Sequence, residues 1–196
     1  MSQRLDQQIE FILEMDRLKS VLRQNKTPSA QRRENTAEHS WHLAIMGLVL
    51  EDQSPAPVDR AKVLCMLLLH DVVEIDAGDT FAYDDQGHED KALREQAAAD
   101  RLFGILPTDQ TDELRSIWDE FEAGQSDEAR LARALDRLQP ILLNHRCGAE
   151  SSWARHGISK AQVLGRNVEV KHLSPALWAL LNRCCDEAVQ AGHLKS

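Results

Sequence analysis

The chain has 196 residues, of which 42% are hydrophobic. That is enough for one domain that buries roughly 70% of its unfolded surface without disulfides. Its formal net charge of −9 argues against a nucleic-acid polymer as partner, because phosphate backbones are held by clustered Lys and Arg. A small phosphorylated substrate, neutralised by a metal and one or two Arg, stays open. Four cysteines without C-x-x-C spacing, Cys65, Cys147, Cys184 and Cys185, read as buried thiols of a reducing compartment. The N-terminus lacks a signal-peptide pattern, and the longest apolar run, Val63 to Leu69, is too short to span a bilayer. A cytoplasmic protein without a membrane partner is the expectation.

In chain order, Ile9, Ile12, Leu13, Leu18, Val21 and Leu22 recur with helical period and predict a first amphipathic helix to about Arg23. Residues 25–33 are polar, contain Pro28 and read as a loop. Asn35-Thr36-Ala37-Glu38 has the form of a capping box and opens a second helix to about Leu50. Pro57 suits the first turn of a third helix, Val58 to Ile75. The second half of that helix is almost continuously apolar, which places it centrally. Phe81 to Gly87 reads as a polar loop. Further helices are predicted over 89–106, 108–123, 127–145, 159–168 and 175–191, with a kink at Pro140 and a stop at Gly192. No alternating strand pattern and no repeat is visible. The expected fold is all-α: a helical bundle in one domain, residues 1–196, with a core of about 5–145 and a helical C-terminal extension of about 150–192.

His70, Asp71 and Glu74 stand together at the end of the apolar third helix, where polar groups are costly unless paired or bound. His70 and Glu74, four apart, would share a helix face. His39 opens the second helix, and its neighbours Leu43, Met46 and Leu50 suggest that it points inward. Asp136 lies among Leu131, Leu135, Leu138 and Leu142, and a buried carboxylate needs a cation or several donors. Each has a plainer reading: a solvated helix end, a hydrogen-bonded core histidine, or a salt bridge from Asp136 to Arg133 or Arg137. Together, two imidazoles and two carboxylates on three helices make an N2O2 set for one divalent metal. Such a set suits Mn, Fe, Co, Ni or Zn better than Ca, with Mg also a candidate, and it leaves positions open for water and substrate.

The order H…HD…D resembles the signature of the HD-domain superfamily. The stretches Arg32 to Ser40, His70 to Asp79 and Leu135-Asp136, with Arg17 to Arg23 before them, resemble its branch of bacterial 5'-deoxynucleotidase-like hydrolases. That resemblance runs from about Leu5 to Leu143. The remainder, with Trp153, Gly157 and Trp178, is similar to a tail of many HD hydrolases. The resemblance implies a metal-dependent phosphohydrolase cleaving a phosphomonoester such as a nucleoside 5'-monophosphate. It implies His39, His70, Asp71 and Asp136 as metal ligands, Glu74 as the residue that orients or deprotonates water, and Asp79 as a holder of a sugar hydroxyl or of a group behind the metal ligands. Arg23 would bind the phosphate, with Arg32 or Arg33 as helpers. The plainer readings are a helix-end surface residue for Arg23, a turn cap for Asp79 and an Arg-paired structural acid for Glu74. Gln24 stands where the deoxynucleotidase-like proteins carry Trp, so a deoxyribose preference does not carry over. Dinuclear HD oxygenases and cyclic-dinucleotide phosphodiesterases need further His between the HD pair and the last Asp, and this chain has only His88 there. A non-catalytic HD scaffold is the other rival. The apolar helices and the resemblance make a homodimer reasonable.

Overall fold

A computed structural model describes residues 3–196. Helix α1 (Gln3–Met15) turns Phe11 into the core and passes into a 3-10 turn over Asp16–Ser20, where Leu18 is buried. The predicted first helix therefore ends early. Leu22–Lys26 forms strand β1, which pairs antiparallel with β2 (Arg33–Asn35) through an irregular register. This ribbon corrects the strand-free expectation. Its strands are short and mostly polar, so they carry no alternating apolar signal. Side-chain donors stabilise it: Arg33 Nε donates to the Arg23 carbonyl at 2.6 Å and Nη2 to that of Leu22 at 3.0 Å.

Helix α2 (Thr36–Leu50) starts at the predicted capping box, with Glu38 N donating to Asn35 Oδ1 at 2.9 Å and Asn35 N to Glu38 Oε2 at 3.2 Å. Helix α3 (Arg60–Leu69) is capped by Asp59, whose carboxylate accepts from Ala61 and Lys62 amides. Pro57 thus lies outside it. The chain leaves helical form after Leu69, turns through His70 to Val73 and makes one short helix, α4 (Glu74–Ala77), which ends at Gly78 with φ +75°. His70 and Glu74 do not share a helix face, because that turn separates them. Helices α5 (Lys91–Phe103) and α6 (Thr108–Ala123) follow. Helix α7 (Asp127–Cys147) is capped by Ser126 and runs through Pro140. Helices α8 (Ser152–His156), α9 (Lys160–Arg166), α10 (Val168–Leu173) and α11 (Pro175–Gln190) complete the chain.

Helix α7 is the central post, packed by α2, α3, α6, α10 and α11. One core cluster joins Leu43, Met66 and Leu135 to Trp153, Val163 and Leu181 of the C-terminal helices. A second gathers Phe11, Val72, Leu102 and Trp118. Helices α2 and α3 approach closely at Gly47, where a Cβ would lie 2.8 Å from Leu67 Cδ1. The start of α2 lies beside the end of α3, where the rings of His39 and His70 are 5.6 Å apart. No helix among the described residues is long and apolar enough to cross a membrane.

Candidate metal centre and cleft

His39 lies in the first turn of α2 and is fully buried. His70 follows the last turn of α3; its amide still donates to Met66 O at 2.9 Å, and its carbonyl accepts from Trp118 Nε1 at 3.0 Å. Asp136 enters from the middle of α7. One donor atom from each of these three residues lies within 4.8 Å of the others. His39 Nε2 is 3.0 Å and His70 Nε2 3.7 Å from Asp136 Oδ1. Asp71 Oδ2 stands 3.2 Å from His70 Nε2 and 3.7 Å from His39 Nε2. The structure thus brings all four candidate ligands to one place, and Asp136 contacts the imidazoles rather than Arg133, which pairs with Glu169.

The chemistry of this donor set fits a cation. His70 Nδ1 faces the Leu67 carbonyl at 3.1 Å. A carbonyl only accepts, so Nδ1 carries the hydrogen and Nε2 is left for a proton or a metal. Nε2 is buried, makes no well-formed hydrogen bond and faces two carboxylates. A bare lone pair there would be repelled by both. Burial works against an imidazolium, yet Asp71 and Asp136 raise His70 to about 10. Burial, helped by Arg23, pushes His39 down to about 4. Burial opposes ionisation of Asp136 too, but its hydrogen bond with His39 and the nearby His70 hold it well below the usual carboxylate range. One divalent ion, with N and O ligands about 2.0–2.2 Å away, would hold neighbouring donor atoms roughly 3–4 Å apart, close to the separations seen.

Arg23 sits on β1, not at a helix end. Its Nη1 donates to Asp71 Oδ2 at 2.8 Å and lies 3.6 Å from Asp79 and 4.0 Å from Glu74, while Nε lies 3.7 Å from Glu34. Burial alone would lower Arg23; Asp71, Asp79 and Glu74 instead hold it protonated. Glu74, 4% exposed, accepts from Thr36 Oγ1 at 2.8 Å. Burial and then Asp71 push its carboxyl well above the ordinary value. Burial also raises Asp79, against Arg23. Arg32 is exposed and paired with Glu38, and Arg33 is engaged by the ribbon carbonyls. Neither lines the cleft above the cluster, and each is held by its local partners.

Sequence reading missed three supporting side chains. Glu34, 2% exposed, accepts from Gln139 Nε2 at 2.7 Å and places Oε2 3.8 Å from His39 Nδ1. Burial raises it to about 7. Thr36 holds Glu74. The available signals were Glu34 inside the stretch before His39 and Gln139 one turn beyond Asp136 on α7. The cleft encloses about 760 Å³ including its open mouth. Asp71, Glu74, Asp79 and Asp136 line its floor, and Tyr83 and Trp153 stand on its walls. His88 is not at the cluster; it faces Arg166 at 3.3 Å.

Comparison with known proteins places the whole chain. A sequence profile described as "HD domain" matches residues 15–178. The protein named 5'-deoxynucleotidase HDDC2 is 30% identical over 135 residues in both Bos taurus and Homo sapiens. The match covers 68% of this chain and 64% and 65% of those relatives, so the chain spans under two-thirds of their length. A structure described as a predicted metal-dependent phosphohydrolase from Magnetospirillum magnetotacticum MS-1 superposes with a TM-score of 0.92. It is 44% identical, covering 98% of this chain and 96% of that one. The PH0347 protein from Pyrococcus horikoshii OT3 superposes with a TM-score of 0.66 at 25% identity, covering 91% of this chain and 99% of that one. An all-helical core, a buried His/His-Asp/Asp cluster and a profile match over most of its length make this chain a member of the HD-domain family.

Proposed function

We propose that the protein is a metal-dependent phosphohydrolase that cleaves a phosphomonoester, with a nucleoside 5'-monophosphate as the substrate class. The observation that carries this reading is the buried His70 Nε2 facing Asp71 and Asp136 at the floor of an open cleft. The similarity to proteins named 5'-deoxynucleotidase and metal-dependent phosphohydrolase supports it. His39, His70, Asp71 and Asp136 would hold one divalent ion from among Mn, Co, Fe, Ni, Zn and Mg. When bound, that ion supplies charge stabilisation to the phosphoryl group and lowers the pKa of water.

The chain's own residues do the rest. Glu74, with one oxygen fixed by Thr36, accepts the proton of the attacking water through the other. The water oxygen bonds to phosphorus as the ester P–O bond breaks, and the proton returns to the departing alkoxide. Asp79 accepts a hydrogen bond from a sugar hydroxyl. Arg23 holds Asp71 and Asp79 in place and keeps Nη2 for the phosphoryl group. Glu34 orients His39, as carboxylates beside ligating histidines do. Gln24, which lines the cleft, replaces a bulky sugar contact by a small polar one, so ribo- and deoxyribonucleotides are both accepted. The free cysteines suit the cytoplasm. The outward stripe of α2, with Trp41 and Val49 64% and 69% exposed, suits a homodimer.

The test strips the protein with chelator and assays phosphate release from ribo- and deoxyribonucleoside 5'-monophosphates, with each metal restored separately. Release should return with metal and be lost in His70→Ala and Asp71→Ala together with bound metal. Full turnover after chelation would overturn the mechanism. Tight metal without any release would favour the non-catalytic scaffold.

A further inference from the structure

The cleft contains four cationic side chains, Arg23, Lys91, Arg137 and Arg166, and their charges are not equally available. Arg23 is met by Asp71, with Asp79, Glu74 and Glu34 close behind. Lys91 pairs with Glu95 at 3.1 Å. Arg137, directly after Asp136 on α7, makes no hydrogen bond or ion pair among the described residues. Arg166, at the end of α9, has no carboxylate partner there either. Its Nε is buried without a hydrogen bond, and its Nη2 meets only His88 Nε2. In a chain with 32 acidic and 23 basic side chains, two arginines that line one cleft without an ion pair leave their charge available to a ligand.

We propose that Arg137 and Arg166 complete the anion subsite of this cleft and, beside Arg23, hold the non-bridging oxygens of the substrate's phosphoryl group. The floor of the cleft is lined by carboxylates that repel an anion, so entry of a phosphoryl dianion requires positive charge not already spent on those acids. Two guanidinium groups offer several N–H donors in forks matched to phosphate oxygens. His88 aims Arg166 without cancelling its charge: burial, Arg166 and Lys91 keep that imidazole neutral, so its lone pair accepts from Nη2. Burial and then Arg137 lower Arg166 from its usual value, against smaller opposing pulls from Tyr83, Asp136 and Asp85. A bound phosphoryl group relieves both. The identity of the anion rests on the phosphohydrolase reading; the existence of the subsite does not.

The test measures binding of inorganic phosphate to the metal-loaded protein by calorimetry, with bound metal counted in every variant. Arg137→Gln and Arg166→Gln should each weaken phosphate by about tenfold or more, the usual loss for a charge-assisted contact, with metal content unchanged. Arg166→Lys should recover part of the loss, and Arg32→Gln should bind as the wild type. Wild-type binding in both Gln variants, or no phosphate binding by the wild type, overturns the subsite. Hydrolysis of monoesters that is indifferent to both arginines sinks the subsite and leaves the phosphohydrolase standing. Arginine-dependent phosphate binding without hydrolysis of any monoester sustains the subsite and removes the proposed function.

Discussion

Glu74 carries a single side-chain hydrogen bond, from Thr36, and faces Arg23 with its other oxygen. Replacing it with Gln keeps the shape and removes the proton acceptor. Turnover should fall by about 10²–10⁴-fold, the usual worth of a general base, while bound metal stays at the wild-type level; a loss under threefold would remove Glu74 from the chemistry. Tyr83 offers a second check, because it is the chain's only tyrosine and stands on the cleft wall. Burial pushes its phenol up to about 12. A folded-state value above the ordinary 10.0 means that the native protein disfavours the phenolate. Stability is therefore lost as pH rises past 10.0, and ultraviolet titration should show no phenolate near 10 until the protein unfolds. An ordinary titration curve in the folded state would contradict that burial. Among single residues, those in the H…HD…D order were legible because polar groups in apolar runs announce themselves. Arg137 stands out there only as a candidate salt-bridge partner of Asp136, and Arg166 not at all, because the sequence does not show which acid, if any, an arginine meets.

At the level of elements, the capping box at the start of α2 is the clearest case of local chemistry setting a boundary, and it positions His39 four residues on. Asn35→Ala should cost about 1 kcal/mol of stability by denaturant unfolding. It should also weaken metal binding, because fraying reaches the first turn; a change in stability without any change in affinity would mean that His39 is held from elsewhere. Helix α6 matches its predicted span, 108–123, since Pro107 before it and Gly124 after it punctuate the pattern. The ribbon of β1 and β2 left no such trace. Its pairing depends on Arg33 reaching back to carbonyls ten and eleven residues earlier, which no periodicity encodes. The break between α3 and α4 was hidden for the opposite reason: the apolar run continues through Val72 and Val73, which are buried in a different cluster from Met66.

Across the whole molecule, the cleft draws on β1, α4, α7 and the C-terminal helices. A chain cut after about residue 150 would lose Trp153 and Arg166 from the cleft and Val163, Leu177 and Leu181 from the main core. It should therefore unfold at lower temperature and lose activity together; a truncated chain with wild-type stability would show that the C-terminal helices are an accessory. A ligand that binds only the folded state stabilises it by about 2.7 kcal/mol at a hundredfold excess over its dissociation constant. Restoring metal to chelated protein should accordingly raise the melting temperature, and His70→Ala should abolish that rise. A melting point indifferent to metal would detach the cluster from the fold. Helix α7 joins these scales at Pro140, which has no N–H to offer the carbonyl of Asp136 four residues earlier. The turn bearing a candidate metal ligand thus lacks one rung of its ladder where α7 meets the cluster. Opening of that turn and release of an ion become two views of a single fluctuation, one that an occupied site would quiet.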